Sequence, residues 1–113
     1  MALIKGTVDV LVLKTLSWGA MHAFEITSWL EQRSGGRLAV DDAALMHALH
    51  RMEARGLLTA DWGVTEKGRR ARYYRPTAAG RAHLEAETAR LADYVDALTT
   101  VLAAPTGARP AAG

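Results

Sequence analysis

Lys67, Arg69, Arg70, Arg72 and Arg75 set five cations in nine residues, with Tyr73 and Tyr74 among them and Glu66 as the only nearby acid. Residues 67–75 carry +5 in a chain whose formal total is +2, so the remainder is net −3. A basic pole on a mildly acidic body suits an oriented encounter with a polyanion. A charged hairpin also has a plainer reading, an edge guarded against aggregation. One or two cations suffice for that, and five exceed it. Upstream, Ala44, His47, Arg51, Ala54 and Arg55 fall on one face of a helical pattern, small at its start and cationic at its end. Such a face can enter a major groove, with Arg51 and Arg55 reaching phosphates or a base edge. The pairing of this helix with the basic hairpin points to a winged helix-turn-helix that grips DNA.

Other chemistries are poorly supplied. His47 and His50 stand at i, i+3 with Asp41, Asp42 and Glu53 nearby, but a metal site would need a further ligand, and the chain has no cysteine. They read as surface imidazoles on the DNA-facing helix, so no metal is expected. No Gly-x-Ser-x-Gly elbow and no phosphate-cradling glycine loop occurs, so neither catalytic residues nor a cofactor is expected, and the chain is read as not an enzyme. The lack of cysteine fits a reducing compartment. With no run of about 18 apolar residues and no signal-peptide pattern, a cytoplasmic protein without a membrane partner is expected.

The elements that would position these residues follow from periodicity. With 113 residues, half of them apolar, the chain can bury about 65% of its unfolded surface, enough for one modest core. A first helix spans about Gly6 to Trp18, with Leu3 and Ile4 leading in. It is apolar on nearly every side, which predicts that part of it meets a second subunit. Asp9, alone in that helix, reads either as an inter-subunit polar contact or as solvent-facing. A second helix runs from His22 to about Arg33 with a core stripe of Phe24 (or Ala23), Ile26 or Thr27, and Leu30, ended by Gly35 and Gly36. A third, capped by Asp41 or Asp42, carries Leu45, Leu49 and Met52 inward and stops at Gly56. Two strands then flank a loop from Gly63 to Arg69, with Leu58, Ala60 and Trp62 alternating inward to pack the hairpin onto the body.

Pro76-Thr77 opens the last helix, Ala78 to about Leu102, which Gly80 slightly weakens. Leu84, Leu91, Val95 and Leu98 follow coiled-coil spacing and predict a dimer seam that nothing later in the chain can cover. Trp18 could line the resulting cleft near Tyr94, where a planar effector could stack, although interface filler is the plainer reading. The fold class is thus mainly α (α+β): a winged helix-turn-helix over 1–76, a dimerisation helix over 77–102 and a disordered tail over 103–113.

These words together resemble the PadR family of bacterial transcriptional regulators, particularly its small members with a single C-terminal helix. The matching segments are Lys5-Gly6-Thr7, Met21-His22, Leu49-His50-Arg51-Met52-Glu53, Arg55-Gly56, Trp62-Gly63, Arg70-Ala71-Arg72-Tyr73-Tyr74 and Thr77-Ala78-Ala79-Gly80, covering about Leu3 to Leu98. The resemblance implies a homodimer whose C-terminal helices pack with the first helices. It also implies recognition helices in major grooves, wings near flanking backbone, and regulation by a small molecule, often aromatic, or by a partner. Two departures stand out. Leu45-Met46-His47 replaces the family's Leu-Tyr-Pro, and His22-Ala23-Phe24 replaces His-Gly-Tyr, each losing a hydroxyl. The expected function is a dimeric regulator, a repressor acting on an inverted-repeat operator of double-stranded DNA. Its groove residues would be Ala44, His47 and Arg51, and its phosphate contacts Arg55, Lys67, Arg69, Arg70 and Arg72. The rival is a winged-helix interaction module that has lost operator recognition.

Overall fold

A computed structural model describes residues 6–107. The Leu3-Ile4 lead-in and the part of the expected tail over 108–113 lie outside the described residues. The order is α1 (Thr7–Leu16), α2 (Ala23–Arg33), α3 (Asp42–Ala54), β1 (Leu58–Val64), β2 (Arg70–Pro76) and α4 (Ala78–Leu102). Four helices and one two-stranded antiparallel sheet make a mainly α fold of winged-helix form. The observed hairpin loop is 65–69, shorter than the sequence pattern suggests, because Gly63 and Val64 still pair with Ala71 and Arg70.

Local chemistry accounts for the boundaries. His22 caps α2 reciprocally: its Nδ1 accepts from the Glu25 N–H at 3.3 Å, and the Glu25 carboxylate accepts from the His22 N–H at 3.2 Å. The Asp41 carboxylate accepts from the Ala44 N–H at 2.8 Å and starts α3. Gly56, at φ +76, turns the chain out of α3 into β1 through a left-handed conformation that side-chain-bearing residues resist. Thr77 starts α4 by accepting from the Gly80 N–H at 3.0 Å, while its hydroxyl donates to the Gly56 carbonyl at 2.7 Å.

The core is built from Val12, Leu13 and Leu16 of α1, Ile26 and Leu30 of α2, Leu45, Leu49 and Met52 of α3, and Leu57, Leu58 and Tyr74 around the hairpin base. Each such side chain contributes about 1.5–3 kcal/mol by leaving water. The largely apolar α1 is buried chiefly within its own chain, packed by α2, α3, α4 and β2, so its apolarity does not by itself demand a second subunit. In α2, Ile26 and Leu30 face the core with Ala23 packed against it, whereas Phe24 points outward at 75% exposure. Gly80 explains its place in the first turn of α4: an added Cβ would lie 2.0 Å from the Leu57 carbonyl oxygen. This close crossing seats α4 on the core, with Leu84 packed against it. Beyond Leu91 the helix leaves the body, and Val95, Leu98, Val101 and Leu102 are all exposed.

Candidate nucleic-acid interface

Helix α3 divides by spacing into three strips around its buried side. Ala43, His47, His50 and Ala54 form the outward line, all exposed. Ala44, Arg51 and Arg55 lie on the flank toward α1, while Met46 and Glu53 lie on the flank toward the hairpin. A strand stub helps to set this relation. The Met21 and Tyr74 backbones exchange hydrogen bonds at 2.9 and 3.3 Å, so the start of α2 is laid beside β2.

The register of the hairpin then decides where its cations point. Trp62 pairs with Arg72 and Val64 with Arg70, and alternation puts these four on the same face as buried Leu58 and Tyr74. Near the base this face packs on the core, and farther out it stands beside α3. Trp62 is 62% exposed rather than packed into the body. Arg70 lies over its ring at 4.6 Å and Arg72 at 5.9 Å. These stacked guanidiniums hold the indole in place at the surface.

The expected DNA cations separate into two groups. Arg51 departs from the sequence reading: its guanidinium turns to Asp9 of α1 instead of standing free on the groove face. Asp9, 8% exposed, is therefore neither solvent-facing nor waiting for another subunit. Arg72 likewise grips Glu53 of α3 through two hydrogen bonds at 2.9 and 3.2 Å, and its Nε is buried without an acceptor. Arg75 pairs with Asp61 at 2.7 Å on the opposite face of the hairpin. Arg55, Lys67, Arg69 and Arg70 are exposed and carry no ion pair among the described residues. Arg51 and Arg72 thus tie α3 to α1 on one flank and to the hairpin on the other.

The ring of Tyr74 sits at the junction of these groups. Burial pushes its phenol above the ordinary 10.0, and the Arg72 guanidinium beside it pulls it partly back. A groove of about 360 Å³ opens above this point, lined by Phe24, Met46, His50, Trp62 and Arg72 among others. A second, of about 530 Å³, runs between the start of α2 and the hairpin loop past Lys67, Arg69 and Tyr73. Sequence patterning missed the ion pairs of Arg51, Arg72 and Arg75 and the first groove. The parity of β2 did carry a hint, since it places Arg70, Arg72 and Tyr74 on one face. Trp18 and Tyr94, expected near one cleft, are more than half exposed, and Trp18 lies beside Arg33 at 5.8 Å. Among the described residues no group of three metal-binding side chains gathers around His47 and His50, and no helix is long and apolar enough to cross a membrane.

The comparisons with known proteins agree with this architecture. A family model described as the transcriptional regulator PadR-like family matches residues 12–86. An uncharacterised protein of Lysinibacillus sphaericus is 26% identical over 82 residues, covering 73% of this chain and 75% of that one. Among solved structures, a transcriptional regulator from Clostridium thermocellum superposes with a TM-score of 0.78 at 23% identity, over 86% of this chain and 94% of the other. A PadR family transcription regulator from Clostridium difficile gives 0.72 at 22% identity, over 86% and 99%. A PadR-like transcriptional regulator from Bacillus cereus gives 0.76 at 19% identity, over 89% and 96%. At these identities the likeness speaks to the fold.

Proposed function

The chain belongs to the PadR-like family of transcriptional regulators, and on that premise we propose a homodimer that represses by occupying an inverted-repeat DNA operator. The observation that carries this reading is the outward line of α3, with His47 and His50, standing beside a hairpin whose Lys67, Arg69 and Arg70 have no internal acid partner among the described residues. The imidazoles are the groove donors, and Ala43 and Ala44 allow close approach. Lys67, Arg69, Arg70 and Arg55 meet phosphates, while Arg51 and Arg72 hold the reading helix in place. Leu84, Leu91, Val95 and Leu98 form the dimer seam, and Trp18 with Tyr94 offers planar surface to an aromatic effector or a partner that releases the DNA. Residues 1–76 are the DNA-binding unit and 77–102 the dimerisation helix.

The test is binding of the purified chain to its own promoter fragment in excess unrelated DNA, repeated over a salt series. With four cations from each protomer on phosphates, the slope of log K against log salt is expected to be about −7. Arg70→Ala should flatten the slope and weaken all sequences alike. Failure to prefer the promoter at any salt would favour the rival, a protein-interaction module, which draws support from the internal pairing of Arg51 and Arg72.

A further inference from the structure

We infer that the groove between α2, α3 and the hairpin is a specificity-determining surface that recognises thymine methyl groups. The inference rests on the operator-binding reading above. Its basis is a juxtaposition: Phe24 of α2, Met46 of α3 and Trp62 of β1 line one groove together with His50. Three elements thus contribute large apolar side chains to a single surface.

That surface lies open. Phe24 is 75% exposed and Trp62 62%, and Met46 is half-buried. Apolar surface of this kind on a protein face is normally an interaction site. Its electrostatic frame identifies the occupant as a polyanion with apolar projections. Arg70 stacks on Trp62 at one edge, Lys67 and Arg69 extend from the adjoining loop, and the outward imidazoles of His47 and His50 border the other edge. Glu25 and Glu66 share the adjoining groove with Lys67 and Arg69, but Arg70 at the edge of the apolar surface has no acid partner among the described residues, which favours an anionic occupant over a purely apolar one. The major-groove edge of DNA supplies both parts, because phosphates flank bases and the thymine C5 methyl is the one apolar group displayed there. The outward line of α3 also lacks Arg, Lys, Asn and Gln, the side chains that make bidentate base contacts, so discrimination falls to the imidazoles and to methyl contacts.

The experiment uses the full-length chain and an operator selected from a random DNA pool. Each thymine is replaced in turn by deoxyuridine, which keeps pairing and removes only the methyl. Binding is expected to fall about fourfold for each methyl that contacts the groove, at symmetry-related positions of the two half-sites, and to be unchanged outside them. In Phe24→Ala with Met46→Ala the same uracil substitutions should have no effect. Phe24 lies outside the core, so the single Phe24→Ala variant provides a folded control. A fully uracil-substituted operator that binds as tightly as the thymine operator overturns the inference while leaving operator binding intact. A uracil effect that survives in the double variant overturns the assignment to this groove. Absence of any selected operator removes the inference together with the reading on which it rests.

Discussion

Removing Arg51 strands a carboxylate that α1 holds almost entirely out of water. Asp9 is 8% exposed and Arg51 is its ion-pair partner, whereas the arginine side chain itself is 40% exposed. Arg51→Ala is therefore expected to lower stability by about 2 kcal/mol through the unpaired acid. Adding Asp9→Ala should restore part of the loss, and urea unfolding of both single variants and the double checks the coupling; losses that simply add would show that the pair is not coupled. Tyr74 gives a pH-dependent counterpart. Its folded pKa lies above the unfolded value of 10.0, so the unfolded state loses the phenolic proton first as pH rises. Its stabilising contribution is complete below that value and declines above it. Tyr74→Phe should flatten the fall of the urea midpoint as pH rises above about 10. These residue partnerships were the least legible part of the sequence. Asp9 and Arg51 are 42 positions apart, and neither local pattern names the other. The cluster of wing cations was visible as a cluster, but which members were already engaged depended on Glu53 and Asp61 in other elements.

The elements were far more legible, because their ends are written in local chemistry. Asp41, Gly56 and Thr77 act within a few residues of where they stand, and α4 spans the residues its spacing indicates. Legibility failed where a helical period admits neighbours equally: Phe24 and Ala23 compete for one stripe, and the exposed position went to the larger residue. Gly80 illustrates a different gap, since a glycine that seems to weaken a helix is required by the Leu57 carbonyl beneath it. Gly80→Ala should lower stability by about 2 kcal/mol or more, as overpacking against rigid backbone does, measurable in the urea midpoint. The stripe of α4 also divides by position. Leu84 packs on the core and Leu98 is 45% exposed in the protomer. Leu98→Asp should give a folded monomer of half the sedimenting mass, its circular dichroism reduced only by the outer turns of α4, whereas Leu84→Asp should unfold the chain. A Leu98→Asp protein that sediments as the wild type would remove the seam.

At the scale of the whole molecule, the chain is a long body, 65 × 29 × 22 Å, with α3 and the wing at one side and α4 leaving the core as a rod. In the proposed dimer, a two-fold pair joined through these rods would present two equal surfaces to DNA. The selected operator should then be an inverted repeat with half-site centres about 34 Å, or about 10 bp, apart. Footprinting of sequences enriched from a random pool measures this spacing, and a site without two-fold symmetry would count against it. The rod has a further consequence. Residues 91–102 are helical, yet beyond Leu91 no residue is covered by its own body. As an extension of an anchored helix they escape the cost of nucleation, but without packing their propagation is marginal in water. In the dimer proposed above, the partner's rod would supply the rest, and the order of these outer turns would rise with concentration. For that segment alone, dilution would act as a denaturant.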